Sequence, residues 1–164
     1  MRPDGISIKD LMKQQAREGE VVWIGLRSQS RQAVSPVVKA YAEADIGLQG
    51  DHYSKAGGKR QLTLLSEEHL HAIASFLGRD KFDPALLRRN IVVKGTNLLS
   101  LKNHRFSLGE AELEMSGECH PCSRMEENLG KGGYNAMRGH GGITATIVKS
   151  GMIRKGDRLT LIGD

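Results

Sequence analysis

Phe106-Ser107-Leu108-Gly109-Glu110-Ala111-Glu112-Leu113-Glu114-Met115 carries the clearest structural signal in this chain of 164 residues. In its second half apolar and acidic residues alternate. An extended strand with that pattern sends Ala111, Leu113 and Met115 to one face and Glu110, Glu112 and Glu114 to the other. Gly109-Glu110 supplies the turn, so the stretch predicts a β-hairpin with one face buried and one in water.

Outward from the hairpin, short β-type runs recur at residues 21–26, 61–65, 90–94, 143–148 and 158–162, and at 37–41 after the Ser35-Pro36 break. A Gly156-Asp157 turn joins the last two, and residues 47–53 read as turn and loop. Helical periodicity is confined to insertions. Ser66-Glu67-Glu68 opens a helix with the stripe Leu70, Ile73, Ala74 and Leu77, closed by Gly78. Asp83-Pro84 starts one or two turns reaching about Arg88, and residues 6–18 suggest a short helix closed by Gly19. Roughly seven or eight short strands with helices between them predict a mainly β fold with helical insertions. A closed, antiparallel-type β-barrel accounts for this better than a βαβ repeat, with an open α+β sheet as the alternative. The expected organisation is an N-terminal extension over residues 1–20 and one barrel domain over 21–164.

Composition removes several classes of function. With 38% apolar and 26% charged residues the chain lies away from the disordered corner. It has no run of the roughly 18–20 apolar residues that a membrane-spanning helix needs. No apolar segment follows the N-terminus, so a secretory signal is not supported and the cytoplasm is the simplest address. The net charge of +5 is mild, and the aromatics are scattered singly rather than interleaved with a basic stripe. A small anionic ligand therefore fits better than nucleic acid.

Chemistry concentrates around Cys119-His120-Pro121-Cys122-Ser123-Arg124. Pro121 and Gly130 bracket an expected two-turn helix whose inner face is Cys122, Met125 and Leu129. In its first turn Cys122 would meet unpaired N–H groups and the positive end of the dipole, with Arg124 and His120 close by, a setting for a nucleophilic sulfur. The plainer reading makes Cys122 a small buried hydrophobe. A thioredoxin-type pair would need a parallel βαβ setting that the pattern does not suggest. Zinc would need two further ligands from His120, His140 or His52, at spacings that match no zinc template. Six of the 20 glycines fall within residues 130–142, around Arg138 and His140. They could hold an oxyanion or merely make turns at a barrel rim. Asp51-His52 with Lys59-Arg60, and Arg88-Arg89-Asn90, would converge only if these strand ends share one barrel mouth; otherwise they are ordinary surface charge.

Taken in order, several stretches resemble the MOSC domain, the C-terminal domain type of molybdenum cofactor sulfurases, which also occurs as small stand-alone bacterial proteins. They are Gly47-Leu48-Gln49-Gly50-Asp51-His52, Lys59-Arg60 leading into Gln61-Leu62-Thr63-Leu64-Leu65-Ser66-Glu67-Glu68, and Leu87-Arg88-Arg89-Asn90-Ile91-Val92-Val93. Phe106-x-Leu108-Gly109, Pro121-Cys122, Gly139-His140-Gly141-Gly142 and Gly151-x-Ile153-x-x-Gly156-Asp157 follow, so the likeness spans residues 21–163. The resemblance implies a β-barrel with helical insertions and makes Cys122 the reactive cysteine, carrying sulfur as a persulfide or ligating molybdenum. It also implies that basic groups receive the phosphate of a molybdenum cofactor: Arg60 and Asn90 at motif positions, with Arg88, Arg138, His140 and His52 as companions. Many relatives have Gly-Glu-Asn-Leu where this chain has Arg88-Arg89-Asn90-Ile91, and Cys119 is additional to the usual single cysteine. No pyridoxal-phosphate desulfurase domain and no flavin, haem or iron–sulfur signature is present, so a sulfur donor (desulfurase) or an electron-transfer partner is implied. The functions in view are sulfur transfer by a sulfurtransferase-like protein, a molybdenum-dependent reductase component acting on N-hydroxylated substrates, and a non-enzymatic barrel that binds an anion or a partner.

Overall fold

Along the chain, alternating burial resolves into a barrel with a helical layer on one side. The computed structural model describes residues 4–52 and 55–163. Its strands are β1 (Gly19–Leu26), β2 (Ser35–Val37), β3 (Lys39–Glu43), β4 (Gly47–Leu48), β5 (Leu62–Ser66), β6 (Ile91–Lys94), β7 (Arg105–Leu108), β8 (Ala111–Glu118), β9 (Ile143–Lys149), β10 (Gly151–Arg154) and β11 (Arg158–Leu161). Its helices are α1 (Ile8–Met12), α2 (Glu67–Phe76), α3 (Ser123–Leu129) and α4 (Gly133–Met137), with 3-10 turns at Pro84–Leu87 and Leu98–Leu101. Among the described residues no helix is long and apolar enough to cross a membrane.

Seven strands in the order β11-β7-β8-β9-β5-β6-β1 close on themselves, because β1 also pairs with β11 through Gly19↔Leu159 and Glu20↔Arg158. Closure removes the exposed sheet edges that would otherwise invite aggregation. The hairpin forms β7 and β8 in the expected register, Phe106 opposite Leu113 and Leu108 opposite Ala111. Ala111 and Leu113 are fully buried and Glu114 is exposed. A small sheet, β10-β3-β4, brings Ala40, Ala42, Leu48 and Ile153 to the same core.

β5 is buried along its whole length because it is covered on both sides. Leu62 and Leu64 point into the barrel, whereas Leu65 packs outside it with Ile73, Leu87, Met125, Leu129, Ala136 and Met137. This second core anchors the helices that carry the cysteine segment.

Five sequence expectations change. The N-terminal helix stops at Met12, and Gly19 opens β1 instead of closing the helix. There a Cβ would lie 2.7 Å from Thr96 Oγ1, so the close approach accounts for the glycine. The run 37–41 is not one strand: β2 continues the barrel sheet while β3 belongs to the small one, with Val38 exposed at the corner. Between the last two expected strands lies β10, and β4 occupies part of the expected 47–53 loop, whose Tyr53 lies outside the described residues. Finally, β5 and β6 run parallel, with α2 as their crossover, so one βαβ unit is built into an otherwise antiparallel barrel. That parallel pair needs a long connection, which the helical insertion supplies.

Candidate functional site

At the end of β8 the chain leaves the barrel wall. Glu118 still pairs with Ile143, and the Cys119 N–H donates to the Gly142 carbonyl at 2.8 Å. Beyond this point the backbone runs without regular pairing to Cys122, the N-cap of α3 at φ −122°, whose carbonyl accepts from Met125 N–H at 2.9 Å. The thiol is free and exposed. The expectation of Cys122 on the inner face of the helix is therefore corrected: α3 begins at Ser123, Met125 and Leu129 alone fill the second core, and the extended N-cap geometry swings Cys122 outward.

Cys122 lines a cavity of about 390 Å³ together with Arg27, Ser30, Arg31, Arg60, Arg88, Arg89, His120, Arg124 and Met125. Six arginines and no carboxylate face this space. They come from four places: the end of β1 and its following loop, the approach to β5, the connection before β6, and the first turn of α3. The Asp51-His52 motif sets the first of these. Asp51 Oδ1 accepts from Arg27 N–H at 2.9 Å, and His52 N–H donates to the Arg27 carbonyl at 2.6 Å. This fixes the strand end from which Arg27, only 6% exposed, enters the cavity floor.

Arg89 is the second buried guanidinium, and it is held by main-chain oxygens. Nε donates to the Gly141 carbonyl at 2.8 Å and Nη1 to Leu87 at 3.0 Å, while Nη2 reaches Cys119 at 3.3 Å. It thus ties the glycine segment to the cysteine segment. Arg88, next to it, has φ +58°, and Arg31 has φ +69°; they are two of the four non-glycine residues in the left-handed region among those described. That conformation costs a residue that carries a Cβ roughly 1–2 kcal/mol, and strain of this kind gathers where function holds a side chain in place. In both cases the side chain lines the cavity.

The other sequence candidates do not line it. Asn90 stitches the barrel: Oδ1 accepts from Thr63 N–H at 3.1 Å and Nδ2 donates to the Gly25 carbonyl at 3.2 Å. His52 and Arg138 are exposed elsewhere. His140 packs on the far side, edge-on to His69 at 4.8 Å and stacked on Phe76 at 5.6 Å, with Nδ1 buried and without a hydrogen-bond partner. Two glycines of the cluster, Gly141 and Gly142, serve close packing there. A Cβ on Gly141 would stand 2.1 Å from the Cys119 carbonyl, and one on Gly142, at φ +86°, 2.0 Å from the Leu64 carbonyl. Glu126 pins the start of the cluster by accepting from the N–H groups of Tyr134 and Gly132, both at 2.9 Å, which holds its carboxyl below the usual range.

Cys119 is buried and faces a separate cavity of about 20 Å³ with His69, Asn97, His120 and Gly139. Burial first, and then the charge of His140, hold the His69 imidazole below its ordinary value. Of the cavity arginines, sequence reading missed Arg27 and Arg31 and gave Arg89 no role. The one available signal was for Arg89, as part of the Arg88-Arg89-Asn90 cluster. Nothing local marked Arg31.

The MOSC domain family model matches residues 51–160. Among solved structures, the YuaD protein of Bacillus subtilis superposes with a TM-score of 0.75 at 21% identity, covering 87% of this chain and 94% of that one. YiiM from Geobacillus stearothermophilus gives 0.71 at 17% identity, covering 88% of this chain and 75% of that one. YiiM from Escherichia coli gives 0.66 at 19%, with 88% and 70% covered. At these identities the likeness concerns the fold. No curated protein matches the chain.

Proposed function

Because this chain belongs to the MOSC family, we propose that Cys122 is its working thiol, holding the molybdenum cofactor or carrying sulfur as a persulfide, with the arginine cavity receiving the anionic part of the ligand. The observation that carries this reading is the exposed Cys122 thiol at the edge of a cavity lined by six arginines and no carboxylate. A sulfur donor is soft, suited both to molybdenum and to sulfane sulfur. Guanidinium groups bind phosphate oxygens in pairs, with geometry that ammonium groups lack.

The donor set fits the cofactor. Cys122 would ligate the metal, and Arg60, Arg88 and Arg124 would hold the phosphate. Among the described residues no cluster of three or more His, Cys, Asp or Glu could bind a metal by itself, so molybdenum here would be brought in by its pterin. When bound, the cofactor supplies two-electron chemistry at its metal. The chain itself orients the ligand against the buried Arg27 and Arg89 and keeps carboxylates away from the thiol. A desulfurase or an electron-transfer protein is the expected partner, and the cytoplasm its expected setting.

Elemental and intact-mass analysis of protein freshly isolated from a host that makes the cofactor tests this. Bound molybdenum, or a gain of about 32 Da on Cys122 for one added sulfur, is expected, and both should vanish in Cys122→Ser. Their absence from the parent protein contradicts the reading.

A further inference from the structure

We propose that the arginine cavity makes Cys122 a direct acceptor of sulfur from small sulfane-sulfur oxyanions of the thiosulfate type, so that loading needs no protein donor. The inference rests on the persulfide reading above and adds a substrate class to it.

Three observations carry it. First, the cavity of about 390 Å³ beside the exposed thiol is large enough for a tetrahedral oxyanion. Second, Arg31, Arg88 and Arg124 make no hydrogen bond or ion pair through their guanidinium groups among the described residues. Their charge is thus left for a ligand. Third, two of those three sit in the left-handed backbone region, so the fold sustains strain to present them. Arg124, at the second position of α3, is two residues from the thiol.

The reaction these groups suit is a single displacement. Cys122 loses its proton to solvent, and the thiolate attacks the outer sulfur of thiosulfate. A bond forms from Sγ to that sulfur, the S–S bond of thiosulfate breaks, and its electron pair leaves on sulfite. Thiolate plus thiosulfate carries three negative charges before the step, and persulfide anion plus sulfite carries three after it. No oxidant or reductant is required. Charge accumulates on the departing sulfite, where fixed cations lower the barrier most. A persulfide delivered on a partner's loop leaves as a singly charged thiolate and would have little use for a carboxylate-free wall of arginines. The cavity beside Cys119 is lined by Glu118 and by no arginine, and offers no such wall.

The test is to incubate the purified, reduced protein with thiosulfate and, in parallel, with a cysteine desulfurase plus cysteine, reading intact mass, the modified peptide and free sulfite. The expected result is a gain of about 32 Da on Cys122 from thiosulfate, with sulfite released in equal amount and loading slowed by sulfate. Arg88→Gln and Arg124→Gln should each slow it about tenfold or more, and Arg31→Gln, on an exposed loop, gives a variant whose folding is not at issue. Loading by the desulfurase but not by thiosulfate overturns the inference and leaves the persulfide reading standing. Loading by neither overturns both. Thiosulfate loading that is indifferent to all three substitutions overturns the role assigned to the cavity.

Discussion

The two cysteines are three residues apart and stand in opposite surroundings. Cys122 is exposed beside a cavity of about 390 Å³ walled by arginines, whereas Cys119 is buried against one of about 20 Å³ among His69, Asn97 and packed glycine backbone. Between them Arg89 faces the first cavity while its guanidinium bonds the Cys119 carbonyl and Gly141. One side presents arginines beside an exposed thiol, and the other is closely packed. The Cys-x-x-Cys spacing thus joins two thiols of unlike exposure. Both thiols are free, one buried and one exposed, and they line different cavities.

The largest expected effect separates the two thiols outright. Cys122→Ser should lose all sulfur or molybdenum retention with its thermal midpoint unchanged. Cys119→Ser should keep retention and lose about 1–2 kcal/mol of stability, from a hydroxyl placed where little can bond it. Retention lost in Cys119→Ser with the fold intact would break the comparison.

Next comes the packing side. Gly142→Ala places a methyl group against the Leu64 carbonyl at a backbone angle that disfavours side chains, and a cost above about 3 kcal/mol in denaturant unfolding is expected. A change under about 1 kcal/mol would mean that this backbone contact is loose. On the ligand side, Arg88→Gly should relieve the left-handed strain and unfold no more easily than the parent, while phosphate binding measured by calorimetry weakens about tenfold. Equal binding would remove Arg88 from the site.

The smallest effect is a pH dependence on the packing side. His69 is held below its ordinary value, chiefly by burial and then by His140. The unfolded chain takes up this proton near pH 6.5 and the folded chain only at lower pH, so stability is full above about pH 6.5 and falls as pH drops through the folded value. His69→Asn should flatten that part of the stability profile. An unchanged slope would assign it to other groups.

How much of this was legible depended on the range of the contacts. The hairpin at 106–115 and the α2 stripe were readable because their partners lie within a few residues, and Pro121-Cys122 stood out through its resemblance to a family pattern. The cavity was not, because its walls come from loops that only barrel closure brings together. Arg88-Arg89-Asn90 illustrates the limit: three consecutive residues go to the cavity wall, to a buried carbonyl cage and to the barrel's internal stitching. The left-handed turn at Arg88 makes that split, and no periodicity encodes it. The glycine cluster likewise read in sequence either as an anion loop or as turns at a barrel rim. At Gly141 and Gly142 the nearest atoms are the backbone carbonyls of Cys119 and Leu64, so these two positions serve close packing.

Site-resolved alkylation of the native, reduced protein tests the central claim most directly. With iodoacetate and iodoacetamide compared against a free thiol standard, Cys122 should label in the folded state with a preference for the anionic reagent that shrinks as salt is added, while Cys119 stays unlabelled until the chain unfolds. A Cys122 that shows no preference for iodoacetate, or a Cys119 that labels as fast, would contradict the account.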